Sequence, residues 1–166
     1  MAAHQVDIPY LWVHNPQSPK SEGGDVMPAD LRNIWNEICA KGLPTLSDME
    51  KLAVKFNILS GRWLMFVSKK KVDYVWGRIV ELTLAGALGD RAKVSTHCPA
   101  ANKHKHIICI YNSDYRCEAE VTRLRTEIWR LGVKRHISYK PDIFSLLGIR
   151  KFNNLVRLRA QLFFSK

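Results

Sequence analysis

The chain has 166 residues, and its 26 Lys and Arg outnumber 15 Asp and Glu for a formal charge of +11. That length points to one domain, able to bury most of its apolar surface without a disulfide or metal staple. The 46% apolar and 25% charged shares exclude a largely disordered chain, a collagen-like chain and a coiled coil, so the charge is the unusual number. It points to an anionic partner, with nucleic acid or nucleotide phosphate first and an acidic membrane surface second.

Residues 1–9 read as a tail. Tyr10-Leu11-Trp12-Val13 is a short apolar run with the look of a strand. Loop chemistry follows from Asn15 to Asp25, with two prolines and two glycines, so 15–27 is expected to be a mobile loop inside a single domain spanning 1–166. A helix is predicted from near Pro28, with Leu31, Ile34, Trp35 and Ile38 at helical spacing and Gly42 as its stop. A second helix is predicted over Ser47 to Asn57, capped by Ser47 with Glu50 three residues on, and burying Met49, Leu52 and Phe56.

Gly61 to Val67 is dense in aromatic and apolar residues and reads as a strand. Val72 to Ala85 reads as a helix buried through Val72, Val75, Trp76, Ile79 and Leu82, and ended by Gly86 or Gly89. Ala92-Lys93-Val94-Ser95 and Ile107 to Tyr111 read as strands, the second fully buried. Val121, Leu124, Ile128 and Leu131 define the next helix, ended by Gly132, with Arg123, Arg125 and Arg130 on its other side. His136 to Tyr139 is a strand, Pro141 and Asp142 open a helical turn over Ile143–Leu147, and Gly148–Lys151 and Leu162–Ser165 are predicted as short extended pieces. Short strands mixed with longer helices specify an α+β fold, a sheet with helices on one face.

Residues 103–166 carry 14 basic and 5 acidic residues, which places most of the positive excess in the C-terminal part. The anion-binding candidates are Lys93, Lys140, Arg150 and Arg157: Lys93 lies in one strand, Lys140 directly follows another, and the two arginines lie in the tail. Arg offers a planar donor fork to phosphate and Lys a point charge. Trp12 and Trp63, at or near strand ends, are candidates to stack on a base, while Trp35 and Trp76 are expected in the core and Trp129 partly exposed. Lys69-Lys70-Lys71 reads as a solvated linker, being shorter than the usual basic patch.

His97, Cys98, His104, His106 and Cys109 fall within 13 residues, but in no zinc-finger spacing, and His106 and Cys109 on one strand would face opposite ways. No metal and no cofactor is expected. No nucleophile-elbow, zincin, P-loop or dinucleotide-binding motif occurs, so no catalytic residue is assigned. The four cysteines have no CxxC spacing, with Cys39 and Cys109 expected as small buried hydrophobes. No apolar run reaches 18 residues and no N-terminal apolar h-region occurs, so no membrane span is expected and a reducing cytoplasmic or nuclear setting is.

Ala92 to Ser95, His106 to Tyr111, Tyr139-Lys140-Pro141-Asp142-Ile143 and Leu147-Gly148-Ile149 together resemble the basophilic leukemia-expressed protein family, a domain of unknown function. The resemblance spans about residues 60–165, and the Tyr-Lys-Pro-Asp segment followed by Leu-Gly-Ile is its most specific part. It implies a fold like that of the translation-initiation cap-binding protein, a curved and mainly antiparallel sheet with helices on its convex face. In that protein two tryptophans sandwich a methylated guanine and basic residues hold the phosphates. Here Leu155-Val156 and Ala160 stand where the family tends to have a Trp and a Pro. The expected function is a non-catalytic RNA- or nucleotide-phosphate-binding protein. The alternatives are a protein-interaction module that docks an acidic partner around Arg123–Arg130, and, third, an enzyme acting on a phosphorylated small molecule.

Overall fold

In a computed structural model, residues 9–19, 27–100, 102–135 and 137–149 are described. Five strands form one sheet: β1 (Tyr10–His14), β2 (Gly61–Ser68), β3 (Arg91–Ser95), β4 (Lys105–Asn112) and β5 (Ile137–Pro141). Their order across the sheet is β1-β3-β4-β2-β5, and every neighbouring pair is antiparallel. The helices are α1 (Ala29–Lys41), α2 (Leu46–Lys55), α3 (Val72–Leu84), α4 (Glu118–Arg130) and α5 (Asp142–Leu146). The α+β class and the order of elements match the sequence reading. No helix among the described residues is long and apolar enough to cross a membrane.

Period-two alternation separates the two faces of the sheet. Along β2, Gly61, Trp63, Met65 and Val67 are buried while the residues between them are half-buried. Trp63, Met65 and Val67, with Val13, Ala92, Val94, Ile108, Ile110, Ile137 and Tyr139, form a core closed by Val72, Val75 and Ile79 of α3 and by Val121, Leu124 and Ile128 of α4. Thr83 on α3 is also fully buried, a position the apolar pattern alone passes over. The main chain turns away from α3 and α4 at Gly86 and Gly132, whose φ of +73° and +88° lie in the left-handed region that glycine enters without steric cost.

A second core lies at the Gly61 end of β2. Leu31 of α1 and Met49, Leu52 and Ala53 of α2 pack with Ile143, Leu147 and Ile149, so α1 and α2 do not join the helix layer over the sheet. The α2 start differs from the sequence expectation. Thr45, not Ser47, is the cap: its Oγ1 accepts from the Asp48 N–H at 3.2 Å, and the Asp48 carboxylate accepts from the Thr45 N–H at 2.8 Å. Thr-x-x-Asp and Ser-x-x-Glu overlap here, and the earlier box is the one whose first turn carries Leu46 into the second core.

Two further expectations change. Cys39 is exposed; Cys109 is buried as expected, and all four cysteines are free thiols. Gly148, with φ +72°, ends α5 in a turn, and Ile149 N–H donates back to the Phe144 carbonyl, so the extended piece expected at Gly148–Lys151 does not begin there. The rest of that piece, and Leu162–Ser165, lie outside the described residues.

Candidate functional site

The register fixes what stands on the face that α3 and α4 leave open. Trp12 pairs with Lys93 and His14 with Arg91. Lys93 pairs with Cys109 and Arg91 with Tyr111. Tyr111 pairs in turn with Arg62, and Arg62 with Lys140. Residues opposite one another in a ladder share a face, so Trp12, Arg91, Lys93, Tyr111, Arg62 and Lys140 form one surface running across all five strands.

Lys93 lies among aromatic rings. Its Nζ is 4.3 Å from the Tyr10 ring centroid, 5.1 Å from Trp12 and 6.0 Å from Tyr111. The Arg91 guanidinium lies 4.5 Å from the Tyr111 centroid and 5.8 Å from Trp12, and Arg62 lies 6.0 Å from Tyr111. Trp12 stacks on Tyr111 at 5.7 Å and on His14 at 5.9 Å. A cation over a ring face is attracted by the ring's electron-rich face. Trp12 keeps 45% of its surface exposed, large for an aromatic residue in a sheet.

Asp142, the first residue of α5, places a carboxylate in this layer. Arg62 Nη1 donates to Asp142 Oδ1 at 2.7 Å, and Arg62 Nη2 donates to Ser145 Oγ at 3.1 Å. Ser60 Oγ donates to Asp142 Oδ2 at 2.5 Å, and Arg91 Nη2 is 4.0 Å from the same oxygen. Burial is the largest influence on Arg62 and opposes its charge, but Asp142, Tyr111 and Cys109 outweigh it and the net shift is upward. Burial also pushes the Tyr10 and Tyr111 phenols up. The Cys109 thiol, raised chiefly by burial, is kept neutral and therefore a poor nucleophile.

Of the residues singled out from sequence, Lys93, Lys140 and Trp12 are brought onto this one face. Arg150 and Arg157 lie outside the described residues. Trp63 is a correction. It is only 1% exposed, on the helix-covered side of β2, with Nε1 donating to the Val121 carbonyl at 2.9 Å and its ring edge-on to Tyr139 at 5.3 Å. No ring face is left for a base, because strand parity places Trp63 opposite to Arg62. Arg62, Arg91, Tyr111 and Asp142 were not among the expected site residues. The signal for Arg62 is a charged residue inside an apolar strand, on the parity of Leu64 and Phe66.

The arginines of α4 are engaged locally. Arg123 donates to Glu120 and to the carbonyls of Ala87 and Leu88, Arg130 donates to Glu127, and Arg125 lies 4.6 Å from the Trp129 ring centroid. His106 and Cys109 fall on opposite faces of β4, as their spacing requires. Among the described residues no group of three or more His, Cys, Asp or Glu side chains is placed to hold a metal ion.

A comparison with protein families supplies the remaining observation. Residues 36–148 match the family described as Basophilic leukemia-expressed protein Bles03. The matched segment covers more than half of the chain and contains the C-terminal part of α1, all of α2 to α5 and four of the five strands; β1, which carries Trp12, precedes it. The chain therefore belongs to the Bles03 family.

Proposed function

We propose that the open face of the sheet binds the phosphates and bases of single-stranded RNA or of a nucleotide, without catalysing a reaction on them. The observation that carries this reading is the convergence of Arg62, Arg91, Lys93 and Lys140 on one face, around one shared carboxylate, Asp142, and beside an exposed Trp12. Among the described residues of this face basic side chains outnumber acidic ones, which favours a phosphate backbone. An exposed indole flanked by cations suits a base, whose π-face stacks on an aromatic ring whatever its identity. The buried, neutral Cys109 is a poor nucleophile.

The test is binding of a short single-stranded RNA measured over a range of salt. Affinity should fall with salt, and each lost phosphate contact should reduce the log–log slope by about 0.7. Lys93→Gln is expected to lower both affinity and slope. Trp12→Ala is expected to lose about 1–3 kcal/mol at every salt concentration with the slope kept, the behaviour of a stacking residue. No measurable affinity at low salt, or wild-type binding by both variants, would overturn the proposal.

A further inference from the structure

At the other end of the sheet a cleft of about 320 Å³ is lined by Lys69, Thr96, His97, Cys98, Lys103 and His106. It lies between the β2–α3 and β3–β4 connections, whose main chains are tied by Lys69 N–H donating to the His104 carbonyl at 3.1 Å. His106 pairs with Val67, so it stands on the helix-covered side of the sheet, opposite to Lys93 and Arg62. Ser68, which leads into the cleft, is about 20 Å along β2 from Arg62 at the rise of an extended strand. The cleft is therefore separate from the open face in both side and position.

Its chemistry is one-signed. Two lysines and two imidazoles line it, with no carboxylate among the described residues. The sequence reinforces this, because neither residues 51–72 nor residues 91–113 contain an Asp or Glu, while Lys70, Lys71 and Lys105 flank the lining residues. Among the described residues no ion pair engages Lys69 or Lys103. One imidazole is also held in place: His106 Nδ1 lies 2.7 Å from the Ser95 carbonyl oxygen. That oxygen can only accept, so Nδ1 carries the hydrogen and Nε2 is the ring atom left for other partners. The Thr96 hydroxyl is already spent on the Pro9 carbonyl.

We infer that this cleft is a second anion site, which takes a phosphate group on Lys69 and Lys103 with the imidazoles of His97 and His106 as further partners. Lysines act there as point charges toward a tetrahedral anion, and no carboxylate among the described lining residues competes for them. Free inorganic phosphate and the terminal phosphate of a nucleic acid share this chemistry. The inference stands on residues that the open-face reading does not use.

Amide NMR of the full chain tests it, with inorganic phosphate titrated at constant ionic strength against a chloride control. Saturable shifts are expected at Thr96, His97, Lys103 and His106. The Lys69→Gln/Lys103→Gln double variant should weaken that binding at least tenfold, the Lys69→Arg/Lys103→Arg variant should keep it, and Lys93→Gln should leave it unchanged. A second arm compares a short RNA with a 5′-phosphate and the same RNA with a 5′-hydroxyl. Saturation of the cleft only by the phosphorylated RNA assigns the site to a nucleic-acid end, and saturation by inorganic phosphate alone assigns it to the free anion. No saturable shift in the cleft with either probe, or wild-type affinity in the double Gln variant, overturns the inference whatever Lys93→Gln does to RNA binding.

Discussion

Asp142→Asn isolates the electrostatic design of the open face. The Asp142 carboxylate accepts from Arg62 and Ser60 and lies 4.0 Å from Arg91. The side chains of the Arg62–Asp142 pair are only 22% and 16% exposed. Removing one partner of a fully buried ion pair costs about 3–5 kcal/mol, while exposed pairs are worth about 0–1 kcal/mol. The exposure here lies nearer the buried limit, and Asn keeps one acceptor oxygen, so an intermediate cost of about 2 kcal/mol is expected. For a chain of this size that lowers Tm by about 4–8 °C. Arg62 would then be released toward a ligand, so RNA affinity at low salt should rise and the salt slope should steepen by about 0.7 for one added phosphate contact. Thermal unfolding and RNA titration on the same preparation read both effects, and Arg62→Met with and without Asp142→Asn gives the coupling between the two residues. A wild-type Tm would refute the structural argument. Lower Tm together with weaker RNA binding and a shallower slope would refute the claim that Asp142 restrains a phosphate-binding arginine.

Two further expectations follow from local geometry. Thr45→Ala should destabilise the chain by about 1 kcal/mol, as the loss of a helix cap does, while Ser47→Ala should be nearly silent; denaturant midpoints decide between the two capping registers. Hydrogen bonds from Arg116 and Arg123 hold the Asp114 and Glu120 carboxyls below their ordinary range. A depressed folded-state pKa contributes stability that is present above the unfolded value, about 4, and is lost as pH falls through the folded value. Unfolding followed from pH 6 downward should therefore show a loss of stability below about pH 4 that Asp114→Asn and Glu120→Gln make shallower.

Local pattern alone determined where most elements lie. Apolar runs placed β2 and β4, the 3.6-residue period placed α1, α3 and α4, and glycines (Gly86 or Gly89 after α3, Gly132 after α4) marked where helices stop, because these signals act within a few residues of the chain. The positive excess was legible too, as were Lys93, Lys140 and Trp12 as candidates. The start of α2 was not, since two overlapping capping boxes satisfy the same local rule and only packing of Leu46 against the second core separates them.

The site itself belongs to tertiary structure. Whether a strand residue faces the core or the open side depends on which side α3 and α4 cover, and a shift of one residue in register exchanges the faces. That choice buries Trp63 against Val121 and Tyr139, and puts Arg62, one residue away, beside Asp142 eighty residues later. It also brings Trp12, Lys93, Tyr111 and Lys140 from four different strands onto one surface. Sequence determined that the chain carries excess positive charge and which short segments form strands and helices; the sheet order and the covering of one face decided where that charge converges, because non-local pairing depends on contacts that no single segment contains.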